Sequence, residues 1–253
     1  MNANIEPPTG MTQGEWRARV ELAACYRVMA RYGMSDLIFN HISLRVPGTE
    51  HVLINAYGYL YTEITASNLC KIDLDGRILF EPDVGFGVNL AGYIIHSAIH
   101  QAREDVQCVI HTHTRAGMAV AAMDCGLLPL NQFSMRFYNR LGYHDYEGPA
   151  SETEERERLA RDIGTHNALI LRNHGLLACG GSVAEAFYRM YSLENACKVQ
   201  VDAMTAGAKL RQADPEVCEQ SARTVEGNSP VRDPKLWAAL IRQLDTESPD
   251  YRS

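Results

Sequence analysis

The sequence predicts an α/β fold, and three observations carry that prediction. Short apolar, partly β-branched runs such as Val106–Ile110 and Ala168–Leu171 have the length and composition of buried strands. Longer segments, notably 89–103 and 182–206, repeat apolar residues at helical spacing. Both strand runs also end in histidines, and ligand sites in open α/β sheets gather beyond the carboxyl ends of strands. At 253 residues the chain has the length of one large domain, and no linker divides it. The expected organisation is a flexible lead-in over 1–14 and a single domain over 15–253 with a helical C-terminal end.

In chain order, Thr12 caps a helix to about Tyr32 whose apolar face includes Trp16, Val20, Leu22, Ala23, Val28 and Met29, ending at Gly33. Leu37–Val46 and His51–Ala56 are expected as strands of a hairpin turning at Pro47-Gly48. Within the first of them Asn40 stands out, because a short amide at mid-strand is a poor core residue and a good oxyanion partner. Asn68–Asp73 and Gly76–Phe80 form another strand pair, followed by a glycine-rich loop over 82–87. In the helix from about Asn89 to Arg103, Ile94, Ile95, Ala98 and Ile99 mark the buried face, which assigns His96 and His100 to the solvated side. Thr114–Met123 is helical, with Arg115 at its start able to face an anion. The stretch 135–146 concentrates Arg136, Arg140, Tyr138, Tyr143 and Tyr146, as a subunit contact or as the lining of a pocket for a carboxylated or aromatic substrate. Ser151 opens a capped, solvent-facing helix. Ser182 caps a long one to about Ala206, on which Glu194 and Lys198 make a surface ion pair. Two weak helices, near 215–223 and 234–244, close the chain.

The chemistry centres on His111-Thr112-His113. Residues i and i+2 of a strand point the same way, so two imidazoles there can converge on one ion about 2.0–2.1 Å from each nitrogen, whereas on a helix they diverge. His174, in Asn173-His174-Gly175 at the end of the second run, supplies a third imidazole, with the glycine expected to let the backbone turn. Three nitrogens and an open position describe a catalytic rather than a structural metal site. A net charge of −7 argues against nucleic acid and against a polybasic membrane surface, leaving small molecules as partners. Seven dispersed cysteines without a C-x-x-C read as reduced, mostly buried thiols, and with no signal peptide or membrane span the expected location is cytoplasmic.

Several motifs in register resemble the class II aldolase/adducin family: His111-Thr112-His113, then Asn173-His174-Gly175, the segment Asn40-His41-Ile42-Ser43-Leu44-Arg45, and the turn over 54–58. The likeness spans about residues 15 to 207. It implies a three-layer αβα sandwich with a mainly antiparallel central sheet, a homotetramer with its active site between subunits, and a divalent metal on His111, His113 and His174. Zinc is the first expectation, with manganese or iron(II) as alternatives. In the family a tyrosine from the region of Tyr143 and Tyr146 serves as an acid, which points first to Tyr146. One departure matters. The family's sugar-phosphate aldolases carry a Ser-Ser-Glu upstream of the His-x-His, and here Leu90-Ala91-Gly92 occupies that place, so acid/base carboxylate and phosphate cradle are both missing. Of the two helix histidines, His96, which shares a face with Gly92, is the better candidate to reach that place, and whether it replaces the glutamate stays open.

The resulting expectation is a metal-dependent carbon–carbon lyase, aldolase or decarboxylase, acting on a non-phosphorylated hydroxy-carbonyl or carboxylate compound. Asn40, Arg115 and Tyr146 would position or polarise the substrate. Two other classes remain open: an iron-dependent oxygenase on the same histidines, and an adducin-like interaction module without chemistry.

Overall fold

A computed structural model describes residues 7–82, 85–146, 148 and 153–253. Residues 1–6 of the expected lead-in, two residues of the 82–87 loop, and Ser151 with its capping role lie outside the described residues. The elements run α1 (Gln13–Arg31), β1 (His41–Arg45), β2 (Val52–Asn55), β3 (Leu69–Ile72), β4 (Ile78–Phe80), α2 (Leu90–Ala102), β5 (Cys108–Thr112), α3 (Arg115–Ala121), α4 (Gln132–Met135), β6 (Gly142–His144), α5 (Thr153–Ile163), β7 (Ala168–Leu171), β8 (Gly175–Gly180), α6 (Val183–Thr205) and α7 (Pro215–Glu247).

The strands form one eight-stranded sheet in the order β4-β3-β2-β1-β5-β8-β7-β6. Every neighbouring pair is antiparallel except β6 and β7. Strands β5, β7 and β8 are buried along their whole length, which is why they read as continuous apolar runs instead of alternating ones. On one face Ile42, Leu44, Ile110, Ile170, Leu176 and Ala178 meet side chains of α1, α3 and α6. On the other, Val109, Leu169, Leu171 and Leu177 meet Ile95, Ala98 and Ile99 of α2 and Leu159 and Ile163 of α5. Helices on both faces of a largely antiparallel sheet make the expected three-layer αβα sandwich.

The α1 N-cap is as expected, with Thr12 Oγ1 accepting the Glu15 N–H at 3.1 Å. From the same helix Tyr26 reaches the sheet, where its hydroxyl accepts the Ile42 and Asn55 N–H groups at 2.8 and 3.1 Å. It lies 2.5 Å from the Ile42 carbonyl and 2.8 Å from Asn55 Oδ1, either of which can accept its proton. A buried hydroxyl thus fixes the start of β1, next to Asn40 and His41.

Four local expectations are corrected. The first strand begins at His41, not Leu37: Leu37 is exposed with φ 45°, in a turn closed by the Phe39 N–H to Asp36 carbonyl bond, and apolar content alone does not separate a turn from a strand. The C-terminal region is one 33-residue helix that continues through Pro230 and Pro234. The local penalty of proline is overridden by burial of Ala222, Trp237, Ile241 and Leu244, with Trp237 packed against Phe187 at 5.8 Å between ring centroids. Glu194, expected on the surface, is buried and accepts the Thr114 hydroxyl. The Lys198 ammonium lies 3.3 Å away. Six of the seven cysteines are buried and all are free thiols, with Cys125 exposed. Among the described residues no helix is long and apolar enough to cross a membrane.

The fourth correction has an energetic consequence. His96 and His100 are buried rather than solvated, because α2 packs on the sheet beside α5 and turns these two side chains toward Ser43 of β1. Ser43 Oγ lies 2.7 Å from His96 Nδ1 and 2.8 Å from His100 Nε2, so one hydroxyl can donate to one ring and accept from the other. Burial, with the Arg45 guanidinium adding to it, pushes His100 down to about 3. The folded value lies below the unfolded one of about 6.5, so the unfolded chain takes up the proton first as pH falls. This contribution to stability is intact above pH ~6.5 and is lost progressively between ~6.5 and ~3. Urea midpoints measured at pH 7.5, 6 and 5 are expected to fall, with a shallower decline for His100→Gln; parallel declines in both proteins would remove His100 as a source of the slope.

Candidate metal centre

The centre is built where β5 ends and the β7–β8 hairpin turns. His111 lies within β5, and the ladder places it opposite His41 of β1 and Leu177 of β8. His113 follows one residue beyond the strand. His174 sits in the turn between Leu171 and Gly175, where Asn173 takes φ 55° and hydrogen-bonds through its N–H to the Ala121 carbonyl at 3.1 Å. Gly175 serves close approach rather than turning: a Cβ there would lie 2.3 Å from the Thr112 carbonyl oxygen. Absence of a side chain lets β8 start directly against the end of β5, which brings His174 to the other two histidines.

His113 Nε2 lies 2.9 Å from His111 Nε2 and 3.0 Å from His174 Nε2, and one ligand atom from each of the three lies within 4.8 Å of the others. Their outer nitrogens decide what these short distances mean. His111 Nδ1 is 3.0 Å from the Leu176 carbonyl, and His113 Nδ1 is 3.0 Å from Asp36 Oδ2. Both partners accept, so both Nδ1 atoms carry the hydrogen and the neutral rings turn Nε2 lone pairs toward each other. Two lone pairs at 2.9 Å repel unless a proton or a cation lies between them. Burial first, and then the neighbouring His174 and His113, push His111 well below the ordinary histidine range. Burial and His113 push His174 down to about 4. Protonation of His111 and His174 is therefore disfavoured, and a divalent cation fits this donor set, the outer N–H groups of His111 and His113 being held as those of metal-ligating histidines commonly are.

Around the triad, Asn40 is fully buried and lies just before β1. Its Oδ1 accepts the His113 N–H at 3.5 Å, while its Nδ2 has no partner among the described residues. The Tyr146 ring lies 6.0 Å from that of His174 and is half exposed. Arg115 is the first residue of α3 and exposed, with no hydrogen bond or ion pair to the triad among the described residues. Tyr143 turns elsewhere, its hydroxyl accepting the Leu127 N–H at 3.0 Å and its ring lying under the Arg172 guanidinium. Arg136 and Arg140, weighed with it as subunit or pocket residues, bind within the chain, to Tyr188 and Ser192 and to Glu219 and Glu226.

The space of the side chain missing at Gly92 is taken by His41 and not by His96. A Cβ at Gly92 would fall 2.3 Å from His41 Cε1 and 2.4 Å from His41 Nδ1, so the His41 imidazole occupies that space. Asp36, His41 and Glu194 are the residues the sequence reading missed. His41 lies in the segment Asn40–Arg45 and Asp36 shortly before it, yet only the pairing of β1 with β5 brings them to the histidines. Glu194, by accepting from Thr114, anchors the residue that follows His113.

Residues 20–201 match the model of the Class II Aldolase and Adducin N-terminal domain. The chain belongs to the class II aldolase and adducin family. A relative from Pseudomonas aeruginosa named "Putative aldolase class 2 protein" is 48% identical over 96% of this chain and 94% of its own length. Alpha-adducin of Rattus norvegicus is 41% identical over 92% of this chain, which spans only 34% of that adducin. Among solved structures, an aldolase II superfamily protein from Pseudomonas syringae superposes with a TM-score of 0.91 at 49% identity, covering 96% of this chain and 98% of that one. Both branches of the family, aldolase and adducin, are thus represented among the relatives.

Proposed function

We propose that this protein is a divalent-metal-dependent carbon–carbon lyase acting on a non-phosphorylated hydroxy-carbonyl or carboxylate compound, by aldol cleavage or decarboxylation. The observation that carries the reading is the convergence of His111, His113 and His174 through their Nε2 atoms, with the tautomers of His111 and His113 fixed from behind by Leu176 and Asp36. Nitrogen donors of this kind suit zinc, with manganese or iron(II) as alternatives. When bound, such an ion supplies a Lewis acid that stabilises negative charge developing on a substrate oxygen.

The chain's own residues supply the rest. Asn40 Nδ2, buried and without a partner among the described residues, can donate to a substrate oxygen beside His113. Tyr146, half exposed near His174, can hold or deliver a proton to the departing carbon, and Arg115 can meet a substrate anion from the start of α3. With glycine at position 92 there is no carboxylate there to accept a hydroxyl proton, which favours loss of carbon dioxide from an already ionised acid over aldol cleavage. The assembly that fits the family is a cytoplasmic homotetramer, with Tyr146 near a subunit boundary.

A second reading, an interaction module without chemistry, is favoured by the adducin relative. Chelation separates the two. Purified protein is expected to hold about one divalent metal per chain and to release carbon dioxide or an aldehyde from a panel of hydroxy and keto acids. Both should cease after chelator treatment and return with added metal. Metal-free protein as isolated, unable to bind added zinc or manganese, would remove the lyase reading, and substrate-dependent oxygen uptake would move it to an oxygenase.

A further inference from the structure

A cavity of about 690 Å³ opens between α6, α7, the turn after α4 and the segment 165–168. That is a volume typical of small-molecule sites. It lies away from the histidines: Ala168, at the start of β7, is in its wall, whereas His174 follows the far end of that strand, about 10 Å of extended backbone further on. Arg136 and Arg140 line this cavity and not the space beside the triad.

Charge in the cavity is unevenly matched. Arg140 is held by Glu219 and Glu226, each at 2.8 Å, Arg189 by Glu185 at 3.4 Å and Arg232 by Asp233 at 2.6 Å. Arg136 makes no ion pair among the described residues. Its Nη1 and Nη2 donate to the hydroxyls of Ser192 and Tyr188, and its buried Nε–H has no partner among those residues. The Arg136 guanidinium carbon lies 4.6 Å from the centre of the Tyr188 ring, and that of Arg232 lies 4.4 Å from the same centre. Two like charges at one ring repel, and burial, with Arg232 adding to it, lowers the pKa of Arg136. An arginine keeps its proton even so. Because Arg223 also binds Glu219, the cluster sets five guanidiniums against four carboxylates, and the surplus charge sits at Arg136.

We propose that this cavity is a second ligand site, in which Arg136, with Arg232 beside it, takes the carboxylate of a small, singly charged hydroxy acid. One surplus positive charge matches one carboxylate, and a planar guanidinium presents paired N–H donors to two carboxylate oxygens. A phosphate dianion would exceed the surplus and set its second charge against Asp233 and Glu226. Asn139, Thr165 and His166, also in the wall, offer amide, hydroxyl and imidazole groups to the ligand's hydroxyls. The site is independent of the metal reading, since none of its residues belongs to the triad.

Calorimetric titration of the metal-stripped full chain with D-glycerate tests it. A single saturable site is expected, with no binding of glycerol, which lacks the carboxylate, and with inorganic phosphate at least tenfold weaker. Arg136→Gln should lose at least tenfold in glycerate affinity, Arg136→Lys, which keeps the charge, should lose less, and His113→Ala should bind glycerate as the wild type does. Absence of saturable binding to the wild type would overturn the site, and so would unchanged affinity in Arg136→Gln or loss of binding in His113→Ala. Phosphate binding as tightly as glycerate would overturn the ligand class. Should Arg136→Gln not fold, because this side chain also ties the turn after α4 to α6, the partly exposed Arg232 replaced by glutamine carries the same expectation.

Discussion

Replacing His113 by alanine is expected to leave the protein folded and to abolish its divalent metal binding, raising the dissociation constant by at least 10²-fold. His113 Nε2 is the one atom hydrogen-bond close to both of the other Nε2 atoms, at 2.9 and 3.0 Å, so it is the middle of the triad. Removing an outer partner of a ligating histidine typically costs about 10–100-fold in affinity, and removal of the ligand itself costs more. Asp36→Asn should accordingly fall between alanine at 113 and the wild type, since its amide can still accept from Nδ1 but without charge. Metal content by mass spectrometry and thermal melts with and without zinc read this out. A metal at 100 times its dissociation constant stabilises the wild type by about 2.7 kcal/mol, and that increment should vanish in His113→Ala. In the absence of metal the sign is expected to reverse, with the variant melting at or above the wild type because the lone pairs no longer oppose each other. Equal metal content in wild type and variant would remove the site.

The second large effect is expected at Gly175, a residue that touches no ligand. Alanine there would place Cβ 2.3 Å from the Thr112 carbonyl oxygen, a contact that only a backbone shift can relieve. The shift must occur between β8 and β5, at the level where His111 faces Leu177 and His174 leaves the hairpin. Overpacking of this kind costs about 1–3 kcal/mol and occasionally more, and involvement of main chain puts this case at about 3 kcal/mol or above. Urea denaturation should show that loss, and the surviving folded fraction should bind metal at least tenfold more weakly, because the hairpin that carries His174 has moved. Wild-type stability in Gly175→Ala would show that the strands are not in the contact described. Serine at Gly181, where a Cβ would meet nothing closer than 3.5 Å, is the control that should be nearly silent.

The sequence by itself determined which residues can carry chemistry and which segments form the layers. A strand has period two, so His111 and His113 had to share a direction, and a second apolar run ending in His174 had to bring another imidazole to a strand end. Helices α1 and α6 were legible from their caps, and α2 from its 3.6-residue spacing, since those signals are local. What lay between distant segments was not. The short parallel strand β6 and the uninterrupted α7 depend on neighbours that composition does not name. Polarity assigned His96, His100 and Glu194 to the surface, while α2 and α6 in fact bury them against Ser43 and Thr114. His41 shows the limit most clearly, for its place beside the triad follows from the β1–β5 register and from a missing Cβ at Gly92, a residue 51 positions away in the chain. Residue type and periodicity are properties of neighbours in sequence, whereas lone-pair direction, close approach and unfilled hydrogen bonds exist only once remote backbones are set a few ångströms apart.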